Sequence, residues 1–336
     1  MLNFDEERYL GIQSGAVGLA GDLRRSIGEL LEGGKKTVIF AGAGGAGTLM
    51  MPAADLLKDR SRIQGHWDRP AELMSTEPVY FDRDAIVVIP SLSGTTKESI
   101  ELVEASRKAG ATVLALTGDA GSPIAEGADI NFTNAAADDT SSESFYLQSL
   151  LIALSVLDHE SGNGEYEQLV EELAGFPALL VAAKEAFEER AEQWAEAFRD
   201  EEYHIISGAG PLWAEAWYYG TCILEEMQWI RTRPIHAADF FHGTLELLEP
   251  DVSVIVLKGG SSRHLASRVV DFAGTVSEKV RVLDTDEFDL TGLSDRLRDL
   301  VAPAVASAVL ERLSAHLEVK RDHPLTTRRY YRRVDY

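Results

Sequence analysis

The chain has little cysteine, no excess of positive charge and no long apolar run, and each absence excludes a class of protein. Cys222 is the single cysteine among 336 residues, so no internal disulfide can form. The formal net charge of −23 disfavours nucleic acid and anionic membranes as partners. We find neither an apolar run of about 18 residues nor a basic-then-apolar N-terminus, so we expect no membrane span and no signal peptide. These absences favour a cytoplasmic enzyme or binding protein.

Short apolar segments alternate with helical patterns along the first half of the chain. Residues 35–47 predict a strand that enters a glycine-rich turn, and residues 84–110 predict a strand, a polar turn and a helix. Residues 111–119 and 129–134 predict two further strands. Strands separated by helices form parallel sheets, so the fold class predicted is α/β with a doubly wound parallel sheet.

The second half of the chain repeats this plan. Residues 202–213 resemble the first strand and glycine turn, residues 251–274 the strand–turn–helix unit, and residues 279–286 the third strand. Two tandem α/β subdomains are therefore predicted. The predicted divisions are a helical segment 1–32, a first subdomain 33–165, a connecting helix 166–200, a second subdomain 201–319 and a basic tail 320–336.

The segment PSLSGTTKES (90–99) places four hydroxyl residues around a glycine where a buried strand ends. A plain turn, a helix N-cap and an anion site are three competing explanations. One hydroxyl suffices for a cap. Four hydroxyls beside the free N–H groups of a helix N-terminus suit a phosphate better. The hydroxyl residues are Ser91, Ser93, Thr95 and Thr96, and the glycine is Gly94.

The glycine-rich turn GAGGAG (42–47) matches the G-x-G-x-x-G pattern of dinucleotide sites. A nicotinamide site also needs an acidic residue at the end of the second strand. Asp68 is the available one, and it lies in a poor strand pattern. We therefore expect no cofactor, although Gly42 and Gly44 let a ligand approach the backbone.

The stretch 223–251 holds the candidate acid and base. Cys222, Glu226 and Ile230 fall on one face of an apolar helical run, 212–230, where a carboxylate is costly unless it is paired. A solvated helix face is the alternative for Glu226, and a structural histidine is the alternative for His242. His236 and His242 lie six residues apart, which is not a zinc spacing, so no metal is predicted.

Three motifs resemble the sugar isomerase (SIS) domain, which binds phosphosugars. Ser91-Leu92-Ser93-Gly94-Thr95-Thr96 is similar to its S-x-S-G-x-T loop, residues 41–44 to its glycine turn, and residues 138–145 to its second serine-rich stretch. The turn 258–264 in the second half lacks the pattern, so the resemblance implies that only the first subdomain binds phosphate. The implied phosphosugar contacts are Gly42, Gly44, Ser91, Ser93, Gly94, Thr95, Thr96 and Ser141.

Within that family the chain resembles the fructosamine 6-phosphate deglycases and, more distantly, the isomerase half of glucosamine-6-phosphate synthase. The motifs on which this resemblance depends are E-M-Q-W-I at 226–230, F-H-G-x-x-E at 241–246 and the ending RDHPLTTRRY at 321–330. Leu325 lies at about the position where the synthase has a ring-opening lysine. The resemblance implies that Glu226 takes a proton from C1 of a 6-phosphofructosyl-amino acid and that His242 is the general acid.

The resemblance also implies partners and leaves alternatives open. It implies a homodimer with a site shared between subunits, a small-molecule substrate, and tail contacts from His323 or Arg328 to the site. A simple solvated tail is the alternative for the basic residues after 320. The alternatives for function are a phosphosugar aldose–ketose isomerase and a non-catalytic phosphosugar-binding regulator.

Overall fold

The computed structural model describes residues 1–162, 164–331, 333 and 334. Contacts divide the chain into two compact units. The amino-terminal unit comprises Glu6–Pro177 and Gly292–Leu300, and the carboxy-terminal unit comprises Met1–Asp5, Ala178–Thr291 and Val301–Tyr336. Most of the segment 1–32 thus belongs with the first sheet, and the segment 166–200 is divided between the units. The predicted domain boundaries themselves stay a prediction. Arg332, Asp335 and Tyr336 of the predicted tail lie outside the described residues.

The amino-terminal unit is built on a five-stranded parallel sheet with the order β2-β1-β3-β4-β5. Its strands are β1 (Thr37–Ala41), β2 (Gln64–Asp68), β3 (Ala85–Ser91), β4 (Thr112–Thr117) and β5 (Ile130–Thr133). Its helices are α1 (Glu6–Gly18), α2 (Ala20–Glu32), α3 (Gly44–Thr48), α4 (Met51–Arg60), α5 (Pro70–Thr76), α6 (Lys97–Ala109), α7 (Pro123–Gly127), α8 (Ser141–Ser161) and α9 (Glu165–Ala174). The strand order reverses between β1 and β3, where doubly wound sheets bind ligands.

The central strands carry the core of this unit. Every residue of β1 and β3 is buried, as expected for strands covered by helices on both faces. Helices α1, α2 and α4 pack against α8. Helix α6 ends at Gly110, whose φ of +78° allows the left-handed conformation of a C-cap. The glycine turn after β1 and the serine loop after β3 are therefore held at one edge of a rigid sheet.

The carboxy-terminal unit repeats the plan with a four-stranded parallel sheet of order β7-β6-β8-β9. Its strands are β6 (Tyr203–Gly208), β7 (Arg231–His236), β8 (Ser253–Lys258) and β9 (Val280–Asp284). The helices after α9 are α10 (Phe176–Phe198), α11 (Leu212–Tyr218), α12 (Arg263–Ala273) and α13 (Asp295–Lys320), with a π-helical turn at Tyr219–Glu225 and 3-10 turns at Thr244–Leu247 and Thr285–Glu287. Two parallel doubly wound sheets confirm the predicted fold class.

Two local expectations are wrong, and two strands were missed. The stretch 166–200 forms two helices, α9 and α10. The run 212–230 is not one α-helix, because it passes into a π-helical turn at 219. Strands β2 and β7 were not predicted, since both are partly exposed edge strands with polar sequences, and β7 contains Pro234.

Among the described residues one helix, α13, is long and apolar enough to cross a membrane. However, 89% of its most apolar window is buried inside the structure. Val305, Val309 and Leu313 are fully buried. The apolar residues of α13 therefore serve a protein core.

Candidate functional site

The serine loop after β3 is held in a tight turn by its own hydroxyls. The N–H of Gly94 donates to Ser91 Oγ at 3.2 Å, and the N–H and Oγ1 of Thr95 donate to Ser93 Oγ at 3.3 and 3.0 Å. Gly94 has a φ of +61°, and a Cβ added there would lie 1.9 Å from Ser122 Oγ. Only glycine fits this position.

The capping explanation for the four hydroxyls is not supported by the structure. Thr96 is the N-cap residue of α6, yet its side chain makes no capping hydrogen bond. Ser93 is partly exposed and Thr95 is exposed at the carboxyl edge of the sheet. The hydroxyls therefore surround the N-terminus of a 13-residue helix, an arrangement that can bind a phosphate.

The glycine turn after β1 lies directly against the start of the serine loop. A Cβ added to Gly42 would lie 2.7 Å from Pro90 Cγ and 2.8 Å from the Cα of Gly47. Gly44 has a φ of +58° and open space beside it. Close packing accounts for Gly42 and Gly47, while Gly44 leaves room for a ligand. The structure thus brings the two predicted phosphosugar turns together.

Ser141 begins α8 and is 8% exposed. Its hydroxyl has no hydrogen-bond partner among the described residues. The nearby Ser144 has a structural role, because its hydroxyl donates to Gln13 at 3.1 Å and accepts from Asn134 at 3.1 Å. Ser141 stays the candidate contact in this stretch.

Glu226 follows the π-helical turn that interrupts the apolar run. Its backbone N–H donates to Thr221 O across five residues, at 3.2 Å. The carboxylate is 36% exposed, and Oε1 accepts from Arg328 Nε at 2.9 Å. Burial, with the Glu226 charge as the next cause, raises the pKa of the neighbouring Cys222 thiol. Arg328 of the tail is therefore the partner that the sequence analysis expected for a carboxylate at this position.

The tail residues 321–330, here called the clasp, contact the segment 226–229 at further points. Gln228 Nε2 donates to the carbonyl of His323 at 2.8 Å. The Trp229 ring packs edge-on against His323 with centroids 4.4 Å apart, and the Arg329 guanidinium lies 3.8 Å from the Trp229 ring centre. Burial lowers the pKa of His323. Both tail residues predicted from the sequence, His323 and Arg328, lie beside the Glu226 segment.

A cleft of about 1160 Å³ opens beside these contacts within the carboxy-terminal unit. Its chemistry is mixed, with acidic, basic and aromatic side chains on the wall. Arginine and aromatic groups there suit a small polar molecule with an anionic part. Lining residues include Glu225, Glu226, Trp229, Arg231, Arg321, Arg328, Arg329 and Tyr330.

His242 does not line this cleft. It is exposed at a turn, where its backbone N–H donates to Asp239 O at 2.9 Å, and its ring has no partner among the described residues. Phe240 beside it is fully buried and packs against Phe241. The structural-histidine alternative is therefore wrong, since the ring is presented to the outside on an anchored turn.

The turn 258–264 in the second sheet is occupied by ion pairs. The Arg263 guanidinium binds Asp284 at 2.6 and 2.8 Å and Asp286 at 2.7 Å. A guanidinium already satisfied by two carboxylates is a poor phosphate ligand.

In the described residues no group of three or more histidine, cysteine or acidic side chains could hold a metal ion.

The sequence assigned no role to one residue of this site, Trp229. Trp229 has a left-handed φ of +56°, which is strained for a bulky residue, and Arg329 stacks on its ring. No sequence pattern indicates a positive φ at tryptophan. The E-M-Q-W-I motif was the available signal, because it contains Trp229.

Comparison with known proteins gives consistent matches. The SIS domain family matches residues 34–157. The fructosamine deglycase FrlB of Bacillus subtilis (strain 168) is 30% identical over 89% of this chain and 92% of its own length. The fructoselysine 6-phosphate deglycase of Escherichia coli (strain K12) is 29% identical over 77% and 75%. The C-terminal domain of glucosamine-fructose-6-phosphate aminotransferase from Francisella tularensis has the same fold, with 17% identity, a TM-score of 0.81 and coverage of 96% and 97%.

Proposed function

Because the chain belongs to the SIS domain family, we propose that it is an enzyme acting on phosphosugars and, more specifically, a deglycase of phosphorylated Amadori compounds. Its substrate is a 6-phosphofructosyl-amino acid, and its products are glucose 6-phosphate and the free amino acid. The observation that carries this proposal is the cleft at Glu226, where one carboxylate oxygen is held by Arg328 and the other has no described partner. The 30% identity to a fructosamine deglycase over 92% of that protein supports the reaction class.

The proposed reaction needs one base, one acid and one anion site. The serine loop binds the phosphate through hydroxyls and helix N–H groups. Glu226 removes a proton from C1, which the C2 carbonyl acidifies, and His242 protonates the C2 oxygen to give the enaminol. Protonation at C2 converts the enaminol into an imine at C1, and water then cleaves the C1–N bond. Each positioned acid or base contributes roughly 10²–10⁴-fold.

We propose that the acid comes from a second copy of the chain in a homodimer. The position of His242 supports this proposal, because its side chain is exposed on an anchored turn and does not line the cleft that contains Glu226. A shared site makes activity depend on dimerisation. The tail contacts of Arg328 then belong to the same subunit as Glu226.

The test measures the release of glucose 6-phosphate from a panel of 6-phosphofructosyl-amino acids, with a coupled dehydrogenase assay as the readout. We expect Glu226→Gln and His242→Gln each to lower kcat by at least about 10²-fold. Matched controls at exposed positions, Glu278→Gln and His264→Gln, should keep wild-type rates. If the wild type releases glucose 6-phosphate from none of the adducts, the deglycase assignment is contradicted. If it converts only fructose 6-phosphate, the isomerase alternative is favoured.

Mixing the two inactive variants tests the shared site. In a heterodimer of Glu226→Gln and His242→Gln, one of the two sites receives both native side chains. Random exchange should therefore restore about a quarter of wild-type activity. Failure to regain activity after demonstrated subunit exchange would place both residues in one subunit's site.

A further inference from the structure

The carboxylate of Glu226 is held asymmetrically. Arg328 Nε donates to Oε1 at 2.9 Å, and Oε2 has no partner among the described residues. We propose that Arg328 is a positioning residue: it fixes the Glu226 carboxylate through Oε1 so that Oε2 takes the proton from the substrate. This inference rests on the proposed function, since it assigns Arg328 a part in that same proton transfer.

Arg328 is built to hold one orientation. Its Nη1 donates to the carbonyls of Leu325 at 2.6 Å and Thr327 at 3.1 Å, while Nε points to Glu226. The side chain is 15% exposed. An ordinary surface ion pair is weak because both side chains lose freedom when they meet. Here the guanidinium is already fixed by its own turn, so it can impose an orientation on the carboxylate.

A lysine could not reproduce this arrangement. The planar guanidinium spreads its donors over two carbonyls and one carboxylate at once. An ammonium is a point charge on a flexible stem, so it would keep the attraction to Glu226 and lose the fixed direction. The fork of Arg328, and not its charge alone, is therefore the feature that orients Oε1.

The backbone that carries Glu226 is held by the same clasp. Trp229 adopts a φ of +56°, a strained conformation that persists only where the surroundings enforce it. Its ring is enclosed by His323 and Arg329, and Gln228 is tied to the His323 carbonyl. Side chain and backbone of the Glu226 segment are thus both fixed by residues 321–330.

A direct contact from Arg328 to the substrate is the competing explanation, and kinetics separates the two. A misplaced base lowers kcat by about 10²-fold, whereas a lost substrate contact raises KM. We expect Arg328→Met to lower kcat by about 10²-fold with KM within threefold, and Arg328→Lys to lose about tenfold. Guanidinium ion should restore part of the activity of Arg328→Met and none of Glu226→Gln.

The matched control is Arg333→Met, an exposed arginine of the same tail. It should leave both constants unchanged. A kcat for Arg328→Met within threefold of wild type, or a loss confined to KM, would overturn the positioning role.

A second measurement does not depend on activity. A water-soluble carbodiimide with an amine probe labels accessible carboxylates, and peptide mass spectrometry reports each site. We expect Arg328→Met to label Glu226 several-fold faster than wild type does. Glu225 is the internal control, because its Oε1 accepts from the N–H and hydroxyl of Thr232 at 3.1 and 2.7 Å, and neither contact involves Arg328.

The two measurements separate the two proposals. If the wild type releases no glucose 6-phosphate from any adduct, the deglycase assignment fails, and the labelling still decides whether Arg328 holds Glu226. Equal labelling of Glu226 in wild type and Arg328→Met would refute the pairing itself, whatever the substrate.

Discussion

Replacing Gly94 by alanine should destabilise the serine loop for two reasons that can be measured separately. The first is backbone strain, because a φ of +61° costs an L-residue roughly 1–2 kcal/mol. The second is a clash, because the new Cβ would lie 1.9 Å from Ser122 Oγ and 2.3 Å from Ser122 Cβ. Overpacking of this kind costs roughly 1–3 kcal/mol.

Ser122 has little freedom to move away. Its Oγ donates to the Asp119 carbonyl at 2.7 Å and accepts from the N–H of Ala125 at 3.4 Å, as the N-cap of α7. The Gly94 carbonyl also accepts from the N–H of Ile124 at 3.1 Å. Strain and clash together lower the free energy of unfolding by about 1–4 kcal/mol, after the smaller conformational entropy of the unfolded alanine variant is taken into account.

Urea denaturation of four variants separates the backbone strain from the clash: Gly94→Ala, Gly162→Ala, Ser122→Gly and the double variant. Gly162→Ala is the matched control, since Gly162 has a φ of +56° with open space beside it, so only about 1 kcal/mol of strain is expected there. In a Ser122→Gly background the clash disappears, and Gly94→Ala should cost no more than Gly162→Ala. Calorimetric titration with glucose 6-phosphate should show at least tenfold weaker binding for Gly94→Ala alone.

The outcome that refutes this reasoning is specific. If Gly94→Ala costs the same with serine or glycine at position 122, contact with Ser122 is not what demands a glycine. If stability falls as expected while affinity for glucose 6-phosphate is unchanged, the loop is structural and the phosphate lies elsewhere.

Three further predictions concern single side chains. Ser93→Ala should raise KM by about tenfold or more with little change in kcat, because a hydrogen bond to a charged group is worth about 1.5–3 kcal/mol; an effect on kcat alone would contradict a phosphate contact. Cys222 is buried and its pKa is raised, so a thiol reagent at pH 8 should react only after denaturation, and fast labelling of the native protein would show that the thiol is accessible. Burial, and after it the nearby Arg281 charge, lowers the pKa of His204 to about 3. Below pH 6.5 only the unfolded chain binds this proton, so stability should fall by about 2 kcal/mol between pH 8 and pH 5, and this part of the decrease should be absent in His204→Gln.

The sequence predicted the elements whose physics is local. Strands β1 and β3 are continuous apolar runs, since helices cover both faces of the sheet. The turns that follow these two strands are marked in the sequence by glycine and other small residues. The serine loop, the glycine turn and the spacing of sixteen residues between Glu226 and His242 are all visible in one dimension. Edge strands β2 and β7 were missed because one neighbouring strand and partial exposure permit polar sequences.

Tertiary structure decided what no periodicity contains. A four-residue spacing put Glu226 on a helical face, but the π-helical turn changed the register and directed the carboxylate to the cleft wall. The strained Trp229 and the Arg328 contact arise from residues about 100 positions apart in the chain, which meet only after folding. Local sequence determined which chemistry the protein carries, because residue types and turns are short-range properties. Folding determined how that chemistry is aimed, because orientation depends on long-range packing.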